Sequence, residues 1–272
     1  MFDFIISELK KQNIELVSCL HLDEATIKRP YLLEKNGISD GSVIIFAVPY
    51  LASEIDEERN VSAYSVSKDY HLFFSSLFDS LIPKLKEKYP LHKFVGFTDH
   101  SPINEIEAGA KCGLGVIGKN HLLITEKYSS YVFIGEIITD AFLPSFASDQ
   151  KYCSDCGKCR KACPTNMNVE ECLSALTQKK GGLTDNERAI IKKSGCAWGC
   201  DICQEVCPLT QKAIKNGTIY TNINFFKAER TPFLTSEQIK NMSDEDFSSR
   251  AYSWRGRSVI KRNLKILEGK EG

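Results

Sequence analysis

Nine of the eleven cysteines of this chain fall between positions 153 and 207, and their spacing is regular. Cys153, Cys156, Cys159 and Cys163 are separated by two, two and three residues, and Pro164 follows. Thiolates are soft ligands for iron. Three of them two residues apart on a tight loop converge on three irons of one [4Fe–4S] cube, while the fourth is carried by the turn to a second cluster. The run therefore calls for a partner, and Cys196, Cys200, Cys203 and Cys207 ahead of Pro208 provide it, with Cys172 between the two runs. Crossing the last cysteine of each run to the other cluster assigns Cys153, Cys156, Cys159 and Cys207 to one cube. The other takes four of Cys163, Cys172, Cys196, Cys200 and Cys203; we choose Cys163, Cys172, Cys200 and Cys203, which leaves Cys196 spare.

Two other chemistries compete for these cysteines. A zinc ion takes four ligands, usually as two separated pairs, and has no use for four packed cysteines followed by proline. Disulfides belong to oxidising compartments, whereas residues 1–11 carry charge too early and too often for a secretory signal. The longest apolar run, near residues 43–48, is far too short to span a bilayer, so a cytoplasmic protein without membrane attachment is expected.

The elements that must hold these residues follow from periodicity. Residues 2–11 space Phe2, Ile5, Ile6 and Leu9 as a helix, and 14–20 read as a strand. After a linking stretch with Pro30 and Gly37, residues 42–48 form an apolar, β-rich run expected to be covered on both faces. Residues 51–60 are acidic and aperiodic, as in a surface loop. Residues 66–89 carry one apolar helical stripe, which Pro83 should kink or end. Residues 92–98 read as a strand that delivers Asp99 to its end.

A short helix from Ile103 leads to Cys112-Gly113-Leu-Gly115-Val-Ile-Gly118-Lys119-Asn120, where three glycines in six residues mark a tight turn or a ligand contact. Its lysine is not followed by Ser or Thr as in a Walker loop, and a strand rather than a helix comes next, unlike a dinucleotide fingerprint. Residues 122–125 and 131–138 read as a hairpin-like pair. Beyond the first cysteine run, 169–179 look helical and carry Cys172, residues 208–231 look irregular, and 235–247 offer helix starts at Ser236 and Ser243.

The predicted class is α+β: an N-terminal α/β layered domain over 1–149, a bacterial-ferredoxin-like two-cluster domain over 150–220, and a C-terminal helical segment over 221–272. Thirty-five basic residues balance thirty-five acidic ones, so no global field draws a polyanion. Locally, residues 250–272 hold seven basic against two acidic side chains, an excess of five, and any RNA contact is expected there.

Several stretches in one consistent order, from about residue 43 to 267, resemble a single family. They are Asp69-Tyr70-His71, Thr98-Asp99, the glycine loop continuing to Leu122-Leu-Ile124, the first cysteine run, Cys172-Leu-Ser-Ala-Leu-Thr177, Gly199-Cys200-Asp201-Ile-Cys203-Gln204, and Ser253-Trp254-Arg255-Gly256 with Lys261-Arg262-Asn263. This set is similar to the cobalamin-dependent epoxyqueuosine reductases, relatives of the reductive dehalogenases.

The resemblance implies a corrinoid without a histidine-type axial ligand, lying between an α/β domain and a cluster domain, with the clusters feeding electrons to cobalt. It implies an epoxide in a tRNA anticodon loop as substrate and Asp99 as the acid that protonates its oxygen. It carries Gly118, Lys119 and Asn120, with Ser174 and Asp201, over as cobalamin contacts, and Trp254, Arg255, Arg257, Lys261 and Arg262 as an RNA-facing surface. A low-potential donor such as flavodoxin or ferredoxin would feed the clusters, steered by Lys151, Lys158, Arg160 and Lys161. The chain departs from the family pattern at Ala63-Tyr64-Ser65, at Ser67 and at Val116. The competing readings are a two-cluster electron-transfer or activator protein with no corrinoid, and a related corrinoid reductase of a different substrate.

Overall fold

The structure is a computed structural model that describes residues 1–52, 58–168 and 171–270. The chain groups into two compact units made of interleaved segments, residues 1–50, 73–156 and 212–223 in the first, and 51–72, 157–211 and 224–272 in the second. The expected division at 149 and 220 follows chain order. The units do not, because residues 51–72 and 212–223 each leave their sequence neighbours.

The first unit is built on a four-stranded antiparallel sheet. Its strands are β1 (Leu16–His21), β2 (Ser42–Pro49), β3 (Phe94–Phe97) and β6 (Val132–Thr139), in the order β1-β2-β6-β3. Every side chain of β2 is buried, as its unbroken apolar run requires. One face of the sheet packs Val43, Ile45, Ile134 and Ile138 against Ala108, Ala110 and Cys112. The other receives Phe74 and Phe78, whose rings lie 6.2 and 6.5 Å from that of Phe46. Gly96 and Gly135 make room for those rings: a Cβ at either would stand inside them.

The helices α1 (Phe2–Lys10), α2 (Pro30–Lys35), α3 (Tyr70–Lys88) and α4 (Glu105–Lys111) complete this region. Within the stretch expected to be a linker, α2 forms with Pro30 at its first turn, where the missing N–H costs nothing. Pro83 lies inside α3, which neither ends nor restarts there, since Leu77, Leu81 and Leu85 stay buried along the same stripe. The helix begins at Tyr70 rather than 66. Residues before it are tied elsewhere: Val66 O accepts Thr231 N, and Asp69 N donates to Ser249 O.

The expected hairpin of 122–125 with 131–138 does not form. Instead β5 (Leu123–Ile124) pairs with β4 (Val116–Ile117), the glycine stretch itself, closed by Gly118 N to Leu122 O and His121 N to Gly118 O, both 2.9 Å. The longer apolar strand β6 goes to the centre of the main sheet.

The second unit is helical, with α5 (Lys158–Ala162), α6 (Leu173–Gln178), α7 (Asp185–Ser194), α8 (Ile202–Glu205), α9 (Pro208–Lys215, which runs on into the first unit's segment), α10 (Asn224–Lys227), α11 (Ser236–Asn241), α12 (Asp244–Ser248) and α13 (Arg257–Glu268). Its core gathers Val61, Val66, Ala197, Trp198, Leu234, Ile239, Tyr252, Val259, Ile260 and Leu264. Two buried asparagines staple distant segments. Asn60 exchanges hydrogen bonds of 2.8 Å with both main-chain groups of Leu234, and Asn263 donates to Thr177 O and Ala197 O at 2.6 and 2.9 Å.

Several expectations shift here. The helix placed at 169–179 starts at Leu173, with Cys172 just before it, and residues 169–170 lie outside the described residues. The stretch 208–231 contains α9 and α10. Thr235, not Ser236, caps α11, because its hydroxyl accepts Gln238 N while the Gln238 side chain accepts Thr235 N. Ser243 caps α12 as expected. Of the acidic stretch 51–60, residues 53–57 lie outside the described residues.

Candidate metal centres and acid–base site

None of the eleven cysteines is in a disulfide. Cys153 hangs from β4 through Cys153 N to Ile117 O (3.0 Å) and Ile117 N to Lys151 O (2.9 Å). Asp155 and Gly157 then take left-handed φ of 51° and 73°, coiling the chain tightly around Cys156.

In the second unit, Cys159 lies in α5 and Cys163 closes it, while Cys200 precedes α8 and Cys203 lies within it; α5 packs against α8. Burial alone would raise the Cys163 thiol. Hydrogen bonds from the Thr165 hydroxyl and from the main-chain N–H groups of Thr165 and Met167 outweigh it and push the thiol below its ordinary range, toward the ligand form. Burial pushes the Cys200 thiol up, helped by the neighbouring sulfurs of Cys196 and Cys203. Cys196 differs. Its Sγ donates to Trp198 O and Gly199 O, both 3.3 Å away, and burial drives it to about 12.

Asp99 sits two residues beyond β3 with φ of 57°, a left-handed conformation uncommon outside glycine that aspartate enters more readily than most residues. The turn over 98–103 is pinned on every side. Thr98 Oγ1 donates to Ile134 O at 2.9 Å, His100 N to Thr98 O at 2.6 Å, and Arg29 Nη1 to Ser101 O at 2.9 Å, while Tyr31 Oη meets His100 Nε2 at 2.8 Å.

Beneath the turn lie two carboxyls that sequence reasoning missed. Ser101 Oγ donates to Glu136, in the middle of β6 and wholly buried. Glu105, in the first turn of α4, accepts the Asp99 main-chain N–H; burial and then the Asp99 charge push its carboxyl up to about 7 against the pull of Lys28 and Arg29. Burial, with Glu105 next in effect, holds Glu136 well above the carboxylate range. The available signal was one acidic residue inside the otherwise apolar Val-Phe-Ile-Gly-Glu-Ile-Ile run.

The expected cofactor contacts divide into two kinds. Gly118 is buried, and a Cβ there would strike the Asn120 side chain and Ile124, so the hairpin's own closure demands this glycine. Lys119 is exposed, 3.3 Å from Asp155. Ser174 Oγ accepts Gln178 Nε2 at 3.1 Å. Asp201 is buried, and its oxygens are taken within its unit: Oδ1 accepts Ser62 Oγ (2.5 Å) and Gln204 Nε2 (3.0 Å), and Oδ2 accepts Ala63 N (2.7 Å) and Arg59 Nη2 (3.3 Å).

The basic C-terminal stretch also separates. Trp254 is 57% exposed, with the Arg255 guanidinium 3.6 Å from its ring centroid. Arg257 and Arg262, expected to face RNA, are half-buried and spend guanidinium donors within the protein, although Arg262 also lines the groove described next. Arg257 donates to Ile239 O, Met242 O, Ser243 O and Asp244, and Arg262 donates to Lys179 O, Gly181 O and Asn263 Oδ1. An open groove of about 760 Å³ brings Lys261 and Lys265 together with Arg188, Lys240 and Lys270.

Residues 152–210 match the family model described as a 4Fe-4S double cluster binding domain. An epoxyqueuosine reductase of Gloeobacter violaceus is 31% identical over 233 residues, 81% of this chain and 71% of the relative. One of Lactococcus garvieae is 29% identical over 256 residues, 86% of this chain and 70% of the relative. The fold is that of a solved epoxyqueuosine reductase from Streptococcus thermophilus, with a TM-score of 0.77 at 22% identity over 98% of this chain and 80% of that one. A structure of such a reductase with an epoxyqueuosine-modified tRNA-Tyr stem loop gives 0.76 at 24% identity, covering 98% and 81%.

Proposed function

Because the chain belongs to the epoxyqueuosine reductase family, we propose that it is an iron–sulfur oxidoreductase that reduces the epoxide of epoxyqueuosine in a tRNA anticodon loop to the alkene of queuosine. The reaction consumes two electrons and two protons and releases the oxygen as water. Asp99 donates one of those protons. The observation that carries this reading is the placement of Asp99, a carboxyl presented on a rigid left-handed turn at a strand end. A fixed acid of that kind is worth about 10²–10⁴ in rate.

Two [4Fe–4S] clusters store the electrons. Cys153, Cys156, Cys159 and Cys207 hold one, and Cys163, Cys172, Cys200 and Cys203 the other, with Cys196 left as a thiol bonded to carbonyls. The packing of α5 on α8 and the N–H donors at Cys163 suit thiolate ligands. The exposed cations Lys151, Lys158, Arg160 and Lys161 suit an acidic, low-potential electron donor such as flavodoxin or ferredoxin.

A bound cobalamin would supply low-valent cobalt chemistry suited to the two-electron reduction of an epoxide. The Lys119 ammonium and the Asn120 amide are donors that a corrinoid's amide and phosphate oxygens accept, and the Gly118 turn fixes where they stand. Ser174 offers a hydroxyl. Asp201 instead joins the segment between Cys200 and Cys203 to residues 59–63.

RNA affinity comes from Trp254 and Arg255 and from the groove of Lys240, Lys261, Lys265, Lys270 and Arg188. Replacing Lys261 and Lys265 by Ala lowers the salt slope of binding to an anticodon stem-loop by roughly 1.5, at about 0.7–0.9 per phosphate contact. An unchanged slope removes the groove from the interface.

The deciding experiment is anaerobic reconstitution with iron, sulfide and cobalamin, followed by reaction with an epoxyqueuosine stem-loop. About eight irons per chain, one cobalt and conversion of the epoxide are expected. Asp99→Asn keeps the metals and loses turnover by at least about 10². Eight irons with no cobalt retained and no conversion leaves the electron carrier as the better account.

A further inference from the structure

The acid site contains more carboxyl groups than one protonation step needs. Glu105 Oε2 and Glu136 Oε1 are both buried with no hydrogen-bond partner among the described residues. An ionised carboxylate with a bare oxygen in such a place is strongly disfavoured, whereas the protonated form is tolerated.

The surroundings leave few groups to compensate them. Helix α4 packs against β2, β4, β5 and β6, and of these only β6 brings a titratable side chain, Glu136. The other charges facing Glu105 are Asp99, Lys28 and Arg29. Both cationic residues are held by the same turn, through Lys28 N and Arg29 N to Pro102 O (2.7 and 3.0 Å) and Arg29 Nη1 to Ser101 O. One side of Glu105 thus grips the Asp99 main chain, and beyond Ser101 the wholly buried Glu136 braces the same turn from the sheet.

Resting on the reductase reading, we propose that Glu105 is the positioning residue of the acid site: it holds Asp99 in its left-handed turn through the main-chain N–H and, backed by Glu136, presents a protonated carboxyl rather than a second charge beneath it. When Asp99 gives up its proton it becomes an anion. That step is easy beside a neutral Glu105 and hard beside an ionised one. Since Glu105 titrates near 7, turnover declines as pH rises through that value.

The experiment compares Glu105→Ala and Glu105→Gln with the wild type in the reconstituted holoenzyme. Removing the acceptor lets Asp99 wander, so the alanine variant loses about 10² in kcat with KM held. The glutamine carbonyl still accepts the Asp99 N–H, so that variant recovers part of the loss, and because an amide cannot ionise it loses the alkaline decline. Equal kcat in the two variants, or an unchanged pH profile in Glu105→Gln, overturns the proposal.

A second readout needs no turnover. The infrared carbonyl band of a protonated carboxyl in the substrate-free holoenzyme is expected to titrate near 7 in the wild type and not in Glu105→Gln. A titrating band in an enzyme that never reduces the epoxide sinks the reductase reading and leaves the carboxyl pair standing. Reduction without a titrating band sinks the pair alone.

Discussion

Each unit takes carboxyl groups out of water, Asp201 in one and Glu136 with the half-buried Glu105 in the other, and the two sites are finished differently. Around Asp201, Ser62, Gln204, Ala63 and Arg59 supply a donor to every face of the carboxylate. Around Glu105 and Glu136 the donors run out: Ser101 serves one oxygen, the Asp99 N–H another, and two oxygens remain bare. Both clusters sit in well-packed surroundings, so burial does not distinguish them. Compensation does. A fully hydrogen-bonded buried carboxyl works as a fastener, and one left with bare oxygens favours its protonated form.

That contrast breaks first at Asp201. Asp201→Ala removes four acceptor contacts and takes one carboxylate from the nearly buried Arg59, so a loss of about 3–5 kcal/mol is expected in urea unfolding. Iron content falls with it, because Cys200 and Cys203 flank the aspartate. A change within about 0.5 kcal/mol, with iron retained, would show that the network is surface decoration.

Chemistry carried by local spacing was legible in the sequence, and chemistry assembled from a distance was not. The cysteine runs are local, and so is Asp99 at the end of a readable strand. The fully buried β2 also stands where its apolar run places it. Glu136 became visible only once β6 had gone between β2 and β3, a pairing that two-residue turn chemistry cannot announce.

The interleaved units escaped for the same reason, since Asn60 and Leu234 are 174 positions apart and no periodicity links them. Charge counting did not reveal that Arg257 and Arg262 also bind main-chain carbonyls. A guanidinium carries five donors, and near helix ends it serves main-chain carbonyls as readily as phosphates.

The comparison is sharpened most finely by the pH dependence of stability. Glu105 titrates near 7 when folded and at about 4.5 when unfolded, so between these values the folded chain holds a proton that the unfolded chain has released. Its contribution is complete below about 4.5 and is lost as pH rises through 7, at roughly 1.4 kcal/mol per pH unit across the window. Glu136, which burial also holds well above the carboxylate range, acts in the same sense. Glu8 and Glu187, each ion-paired to an exposed lysine, have lowered values and act in the opposite sense, losing their contribution only as pH falls through and below about 4.5. Urea midpoints measured across neutral pH should therefore fall steadily in the wild type. Glu105→Gln should flatten the part below 7, and Glu136→Gln, which keeps an acceptor for Ser101, should make the decline shallower. A flat wild-type curve, or one that neither amide alters, would mean that both carboxyls ionise freely and that the two acidic clusters are alike after all.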